Sequence, residues 1–173
     1  MILNNGKTPK HWIGQLDKIK YIHIYSLVAG LPFVPFRHYW TIFLHPRRIF
    51  GGCFTISILN DTLCTAKDKA VINVFTNVST TKPTWTVEEY EKRAFQELKE
   101  ILGQRTNPNW VKTTLIYGSS PIFKIGFKNL PDHLGPNLYL AGIYRTYPKF
   151  SSTGEAMANG EEVAQKLLSL CSK

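Results

Sequence analysis

Cysteine is scarce: the 173 residues hold three, Cys53, Cys64 and Cys171. An odd number, with no C-x-x-C pair and no matching histidine spacing, argues against a disulfide framework or a zinc site and for a reducing compartment. His11, His23, His38, His45 and His133 stand alone, so no metal is expected. No apolar stretch approaches the roughly 18–20 residues of a membrane helix. Met1 leads into the polar run Asn4-Asn5-Gly6-Lys7-Thr8-Pro9-Lys10, so no signal peptide and a cytoplasmic location are expected. Like charges never run to five. The net charge of +9, from 21 Lys and Arg against 12 Asp and Glu, is therefore spread over a solvated surface. No zinc-finger, RNP or helix-turn-helix pattern accompanies it, which argues against a nucleic-acid partner. Also missing are internal repeats, low-complexity segments and any G-x-G-x-x-G turn of the kind that binds a dinucleotide pyrophosphate.

What is present suffices for a core: 43% of residues are hydrophobic and 13% aromatic. The length suits one domain, or one and a half. Residues 19–29 read as a strand from their β-branched and aromatic near-alternation. Two prolines in Leu31-Pro32-Phe33-Val34-Pro35-Phe36 rule out a central strand and leave an apolar loop that an exposed chain presents to lipid or a partner. Strands are expected at 39–45 and 49–59, joined by the basic turn Pro46-Arg47-Arg48, and at 70–78. The clearest helix is 86–102. Thr86 and Glu89 form a capping box, Pro83 precedes it, Gly103 follows it, and Tyr90, Ala94, Leu98 and Ile101 line one face. Further strands are expected at 110–117, 121–127 and 137–143. A last helix over 154–171 is expected to bury Ala156, Met157, Val163, Ala164, Leu167 and Leu168. Consecutive strands with few helices predict an α+β fold, a mixed and mostly antiparallel sheet with flanking helices. Trp12, Trp40, Trp85 and Trp110 read most simply as core or edge aromatics.

The functional information is concentrated at the C-terminus. Asn137-Leu138-Tyr139-Leu140-Ala141-Gly142-Ile143 reads as a short strand ending in a sharp turn, and Tyr144-Arg145-Thr146-Tyr147-Pro148 as a connector. Ser152-Thr153-Gly154-Glu155-Ala156-Met157-Ala158-Asn159-Gly160 opens the last helix. Such an opening leaves backbone N–H groups unpaired at the positive end of the dipole, which suits a phosphate or an electron-rich ring.

This string resembles the C-terminal flavin-contacting segment of the FAD-dependent amine oxidase, phytoene desaturase and protoporphyrinogen oxidase superfamily. Asn137 to Gly142 match throughout, and Ala156, Asn159 and Gly160 match the helix start. The segment Pro121-Ile122-Phe123-Lys124-Ile125-Gly126-Phe127 and, more weakly, Tyr39 to Asn60 are similar to the family's substrate-domain strands. The resemblance implies a substrate-binding-type domain over 15–134, with 135–173 supplying the final strand and helix of a Rossmann-like FAD-binding domain. Residues 1–14 are left as an N-terminal segment, read as extended. Gly142, Ile143, Thr153, Gly154, Glu155, Ala156 and Met157 are the cofactor-binding positions that the resemblance implies, with the N–H groups of 154–157 facing the flavin. Because no G-x-G-x-x-G turn is present, the FAD site is incomplete, and a partner chain or segment carrying that half is implied.

Two departures matter. Ile143 stands where an acidic residue is common, and Ser152 where strict amine oxidases place an aromatic. Ile143 removes one polar flavin contact, and Ser152 shifts the resemblance toward the desaturase-like branch, with a small or apolar organic substrate losing a hydride to the flavin. No side chain stands out as catalytic; Lys124, Tyr117 and Tyr147 are the candidates. Two other readings stay open: a non-catalytic remnant or binding module of the same family, and a peripheral lipid-binding protein resting on Leu31–Phe36 and the positive charge.

Overall fold

The computed structural model describes residues 10–43, 48–78, 84–103, 106–135, 138–149 and 151–171. Asn137, Pro83 and Pro46-Arg47 therefore lie outside the described residues. The chain divides into two compact units, residues 23–117 and residues 1–22 with 118–173, so the division falls inside two strands.

The larger unit is built on alternation. In β1 (Tyr21–Leu31), Tyr25, Leu27, Ala29 and Leu31 are buried on one face, and β4 (Ala70–Val78) runs antiparallel to it with Leu27 opposite Val74 and Ala29 opposite Ile72. With β2 (Trp40–Ile42), β3 (Gly52–Thr55) and β5 (Trp110–Pro121) they form a five-stranded sheet in the order β2-β3-β4-β1-β5. The β2–β3, β3–β4 and β4–β1 pairs are antiparallel. Helix α2 (Val87–Leu102) covers the buried face, because Tyr90, Ala94 and Leu98 repeat every fourth residue. Both hydrogen bonds of its N-terminal capping box form: Thr86 Oγ1 accepts the Glu89 N–H at 3.1 Å, and Glu89 accepts the Thr86 N–H at 2.9 Å. At its other end Gly103 takes φ +80°, and the buried Thr106 hydroxyl closes the turn onto the Gly103 carbonyl. Tyr25 and Tyr90 stack at 4.6 Å, and the Tyr25 hydroxyl donates to the Trp85 carbonyl. Burial drives the Tyr90 phenol and the Cys53 thiol each up to about 12, so Cys53 packs as a small apolar group rather than a nucleophile.

The other face of this sheet is aromatic. Phe54 and Phe75 stack across β3 and β4 at 5.4 Å, Tyr39 stacks on Phe54 at 5.1 Å, and Trp40 and Ile42 are exposed. A polar pair, Asn73 Nδ2 to Ser26 Oγ at 2.7 Å, sits in the middle. At one margin Trp110 lies over Gly30, and its indole N–H donates to the buried Asp68 carboxylate at 2.9 Å. Asn109, Trp110 and Thr65 all donate to this carboxylate and together hold it down at about 2.

In the smaller unit, helix α1 (Lys10–Leu16) and the hairpin of β6 (His133–Gly135) with β7 (Leu138–Tyr139) enclose a core of Ile19, Leu130, Leu134 and Leu140. Trp12, Leu16, Tyr21, Leu138 and Tyr144 pack around it. Helix α3 (Thr153–Cys171) is tied to the hairpin by Lys166, which reaches Asp132 at 2.6 Å.

Several expectations are corrected. The segment read as extended over 1–14 turns helical at Lys10. The strand expected over 49–59 stops at Thr55, because Ser57 Oγ takes the Val71 N–H that a ladder carbonyl otherwise accepts, and two 3₁₀ turns follow at Ile56–Ile58 and Asp61–Leu63. The strand expected over 121–127 is instead the end of β5 followed by a turn. There Gly126 has φ +80° and Phe127 N–H bonds the Lys124 carbonyl. The strand expected over 137–143 shortens to β7, because Gly142 at φ 143° breaks extended geometry and starts a 3₁₀ turn over Ile143–Arg145. Of the residues expected to be buried by the last helix, Val163 is buried and Ala156 and Leu167 are half-buried, while Met157, Ala164 and Leu168 are exposed. The described chain packs against α3 on one side alone.

Candidate functional site

The sequence brings the end of β7 and the start of α3 together through one side chain. Asn159, in the second turn of α3, accepts the Gly142 N–H on Oδ1 at 3.0 Å. The same oxygen takes Arg145 Nη1 at 3.4 Å. Arg145 also donates through Nε to the Leu130 carbonyl at 2.8 Å and through Nη1 to the Leu140 carbonyl at 3.0 Å. A guanidinium thus gathers three chain segments, its planar fork matching acceptors that no single hydroxyl reaches. Sequence reasoning placed Asn159 in the motif but missed Arg145; its signal was a lone guanidinium inside an aromatic connector.

Gly142 is held in a conformation that favours glycine, and the Tyr144 ring lies against its Cα, where an added Cβ would stand 3.1 Å from two ring carbons. The Tyr144 hydroxyl donates to the Ala141 carbonyl at 2.8 Å, and burial raises its phenol above the ordinary value while Arg145 partly offsets this. Ile143 is half-buried in the 3₁₀ turn.

At the opening of α3, the Ser152 side chain accepts the Glu155 N–H at 3.2 Å and the Ser152 carbonyl accepts the Ala156 N–H at 3.1 Å. The expected array of four open N–H groups over 154–157 is therefore smaller. The N–H groups of Thr153 and Gly154 remain without an acceptor among the described residues, and both residues are exposed. The Glu155 carboxylate turns away to Lys149 at 3.0 Å, Ala156 is half-buried, and Met157 is exposed. Two adjacent donors at the positive end of a helix of 19 residues suit an anionic or electron-rich acceptor edge.

The side chains offered as catalytic each have their own surroundings. Tyr117 belongs to the larger unit, where it meets His23 edge-on at 5.3 Å. Lys124 is exposed on the turn after β5. Tyr147 packs with Phe123 and Phe127, 5.6 and 5.9 Å away, and its carbonyl accepts from Asn129. Among the described residues no three His, Cys, Asp or Glu side chains lie close enough to hold a metal, and no helix is long and apolar enough to cross a membrane.

No family model and no curated protein matches the chain. Solved structures do. A protein of Exiguobacterium assigned as a protoporphyrinogen oxidase superposes with a TM-score of 0.67 at 13% identity, over 94% of this chain and 37% of its own. An oxidoreductase from Methanosarcina mazei gives 0.64 at 13% identity, over 91% and 37%. Reduced UDP-galactopyranose mutase gives 0.54 at 14% identity, over 65% and 24%. This chain spans little more than a third of the first two and about a quarter of the third. Over that span it has the α+β fold of these proteins.

Proposed function

We propose that this chain is the substrate-domain and final strand–helix portion of an FAD-dependent oxidoreductase that removes a hydride from a small or apolar organic substrate. The observation that carries the reading is the opening of α3, where two N–H groups lack acceptors beside a glycine turn clamped by Asn159 and Arg145. The fold shared with proteins assigned as oxidoreductases supports it. The residues present fit the isoalloxazine end of the cofactor. Thr153 and Gly154 would donate to the pyrimidine edge, and the helix dipole would favour the negative charge of a reduced ring. Bound flavin supplies the hydride acceptor; the chain's own task is to orient that ring and exclude water.

Nothing in the sequence resembles a pyrophosphate turn, so a second segment or chain carrying one completes the site. The exposed apolar side chains Met157 and Leu170 of α3 support such a partner. The stacked, half-buried Phe54 and Phe75 with the exposed Trp40 beside them support an apolar substrate. In the test, the chain is purified alone and with the product of the upstream reading frame, and visible absorbance is recorded. Stoichiometric flavin in the co-purified sample and none in the chain alone is expected. A folded chain that carries no flavin in either sample defeats the reading and leaves a remnant or binding module.

A further inference from the structure

Both connections that leave the lower end of the larger unit's sheet, residues 32–39 and 56–69, meet at the same edge. Leu31 pairs with Ala70 there, Lys69 N–H bonds the Leu31 carbonyl, and Thr55 N–H bonds the Tyr39 carbonyl. This end lies away from His23 and Tyr117, where the chain enters and leaves the unit. These connections and the start of β2 carry Val34, Tyr39, Trp40, Ile58, Leu59 and Leu63, all exposed, with Leu59 showing 67% of its surface. The apolar loop identified in the sequence contributes little to this, because Phe33 and Phe36 turn inward onto the core and leave Val34 outside.

These side chains cannot sink into the core. The 3₁₀ turns that carry Ile58, Leu59 and Leu63 are fixed by Ser57 on the Val71 N–H and by Asn60 on the Thr62 N–H. The charges around them are unbalanced. On these two connections Arg37, Lys67 and Lys69 are exposed, against one exposed acid, Asp61. The other acid, Asp68, is buried and fully engaged by Thr65, Asn109 and Trp110. Aliphatic tips, a Trp and a Tyr at the margin and a surplus of cations match the layered chemistry of a bilayer surface: acyl boundary, headgroup zone and anionic phosphate.

We propose that this end of the sheet docks on an anionic lipid bilayer. The test sediments the full chain with vesicles of equal parts phosphatidylglycerol and phosphatidylcholine, and with phosphatidylcholine alone. Strong partition onto the anionic vesicles is expected, weakening as salt is added. Leu59→Ser with Leu63→Ser lowers the partition more than about ten-fold, since the lost burial is that of two whole aliphatic side chains. Lys67→Gln with Lys69→Gln lowers it by about five-fold for each charge removed. Ile116→Ser, an exposed apolar change beside Tyr117 at the opposite end of the sheet, leaves it unchanged, and near-ultraviolet circular dichroism confirms that each variant is folded. Absence of partition, or partition indifferent to Leu59 and Leu63, overturns the proposal. So does concentration-dependent self-association abolished by Leu59→Ser, which assigns the face to a second copy of the chain. Vesicle binding is read without flavin, so its outcome stands apart from that of the oxidoreductase reading.

Discussion

Gly30→Ala is expected to cost the larger unit more than about 4 kcal/mol, beyond the range of ordinary point changes. The new Cβ would stand 2.2 Å from Trp110 Nε1, 2.6 Å from Asp68 Oδ1 and 2.7 Å from Trp110 Cε2. Neither neighbour is free to yield. The indole donates to Asp68 Oδ2, and Asp68 is held by Asn109 Nδ2 at 2.6 Å and by Thr65 Oγ1 at 2.7 Å. Backing away would therefore strand a buried carboxylate and several donors at once. The backbone cannot shift either, since Gly30 pairs with Val71 in β4 and its carbonyl accepts the Asn109 N–H at 2.8 Å. Urea unfolding followed by tryptophan fluorescence measures the effect. Adding Trp110→Ala is expected to recover part of the loss, because the principal clash leaves with the indole. A Gly30→Ala protein with a near-native midpoint would contradict the steric argument.

Gly142→Ala is the second large effect, expected at about 2–4 kcal/mol from two sources. Alanine resists φ 143°, and its Cβ would press on Tyr144 at 3.1 Å. Tyr144 belongs to the smaller unit's core and is anchored to the Ala141 carbonyl, so relief by rotation is costly. Amide hydrogen exchange reads the result: protection is lost at Gly142 and through the first turns of α3, because the Asn159 clamp fails with the turn. Gly142→Ala with Tyr144→Ala separates the sources, leaving the backbone cost alone. Unchanged exchange in the single variant would show that this turn does not hold α3.

What was legible in the sequence is what neighbours in sequence decide. The capping box at Thr86 and Glu89, the four-residue repeat through Tyr90, Ala94 and Leu98 and the strand over 70–78 are local chemistry, and each forms as read. The mostly antiparallel sheet of an α+β fold followed from those elements. Strand ends were less legible, because they depend on distant donors. Residues 49–59 look continuous until Ser57 is seen taking a hydrogen bond from Val71, fourteen residues on. The Asp68 lock was invisible, since Gly30, Thr65, Asp68, Asn109 and Trp110 meet through register rather than proximity in sequence. At the candidate site the motif drew attention to Gly142, Asn159 and the opening of α3. It said nothing of which N–H groups Ser152 had already taken, nor of Arg145.

The central claim is that the opening of α3 holds a flavin edge, and Thr153→Pro in the flavin-loaded complex tests it most directly. Proline is well tolerated at the first helical position, so the substitution removes one donor and leaves the helix standing. A flavin dissociation constant raised about ten- to hundred-fold, with circular dichroism unchanged, is the predicted result. An unaltered dissociation constant in a folded protein would contradict it and move the cofactor away from this helix.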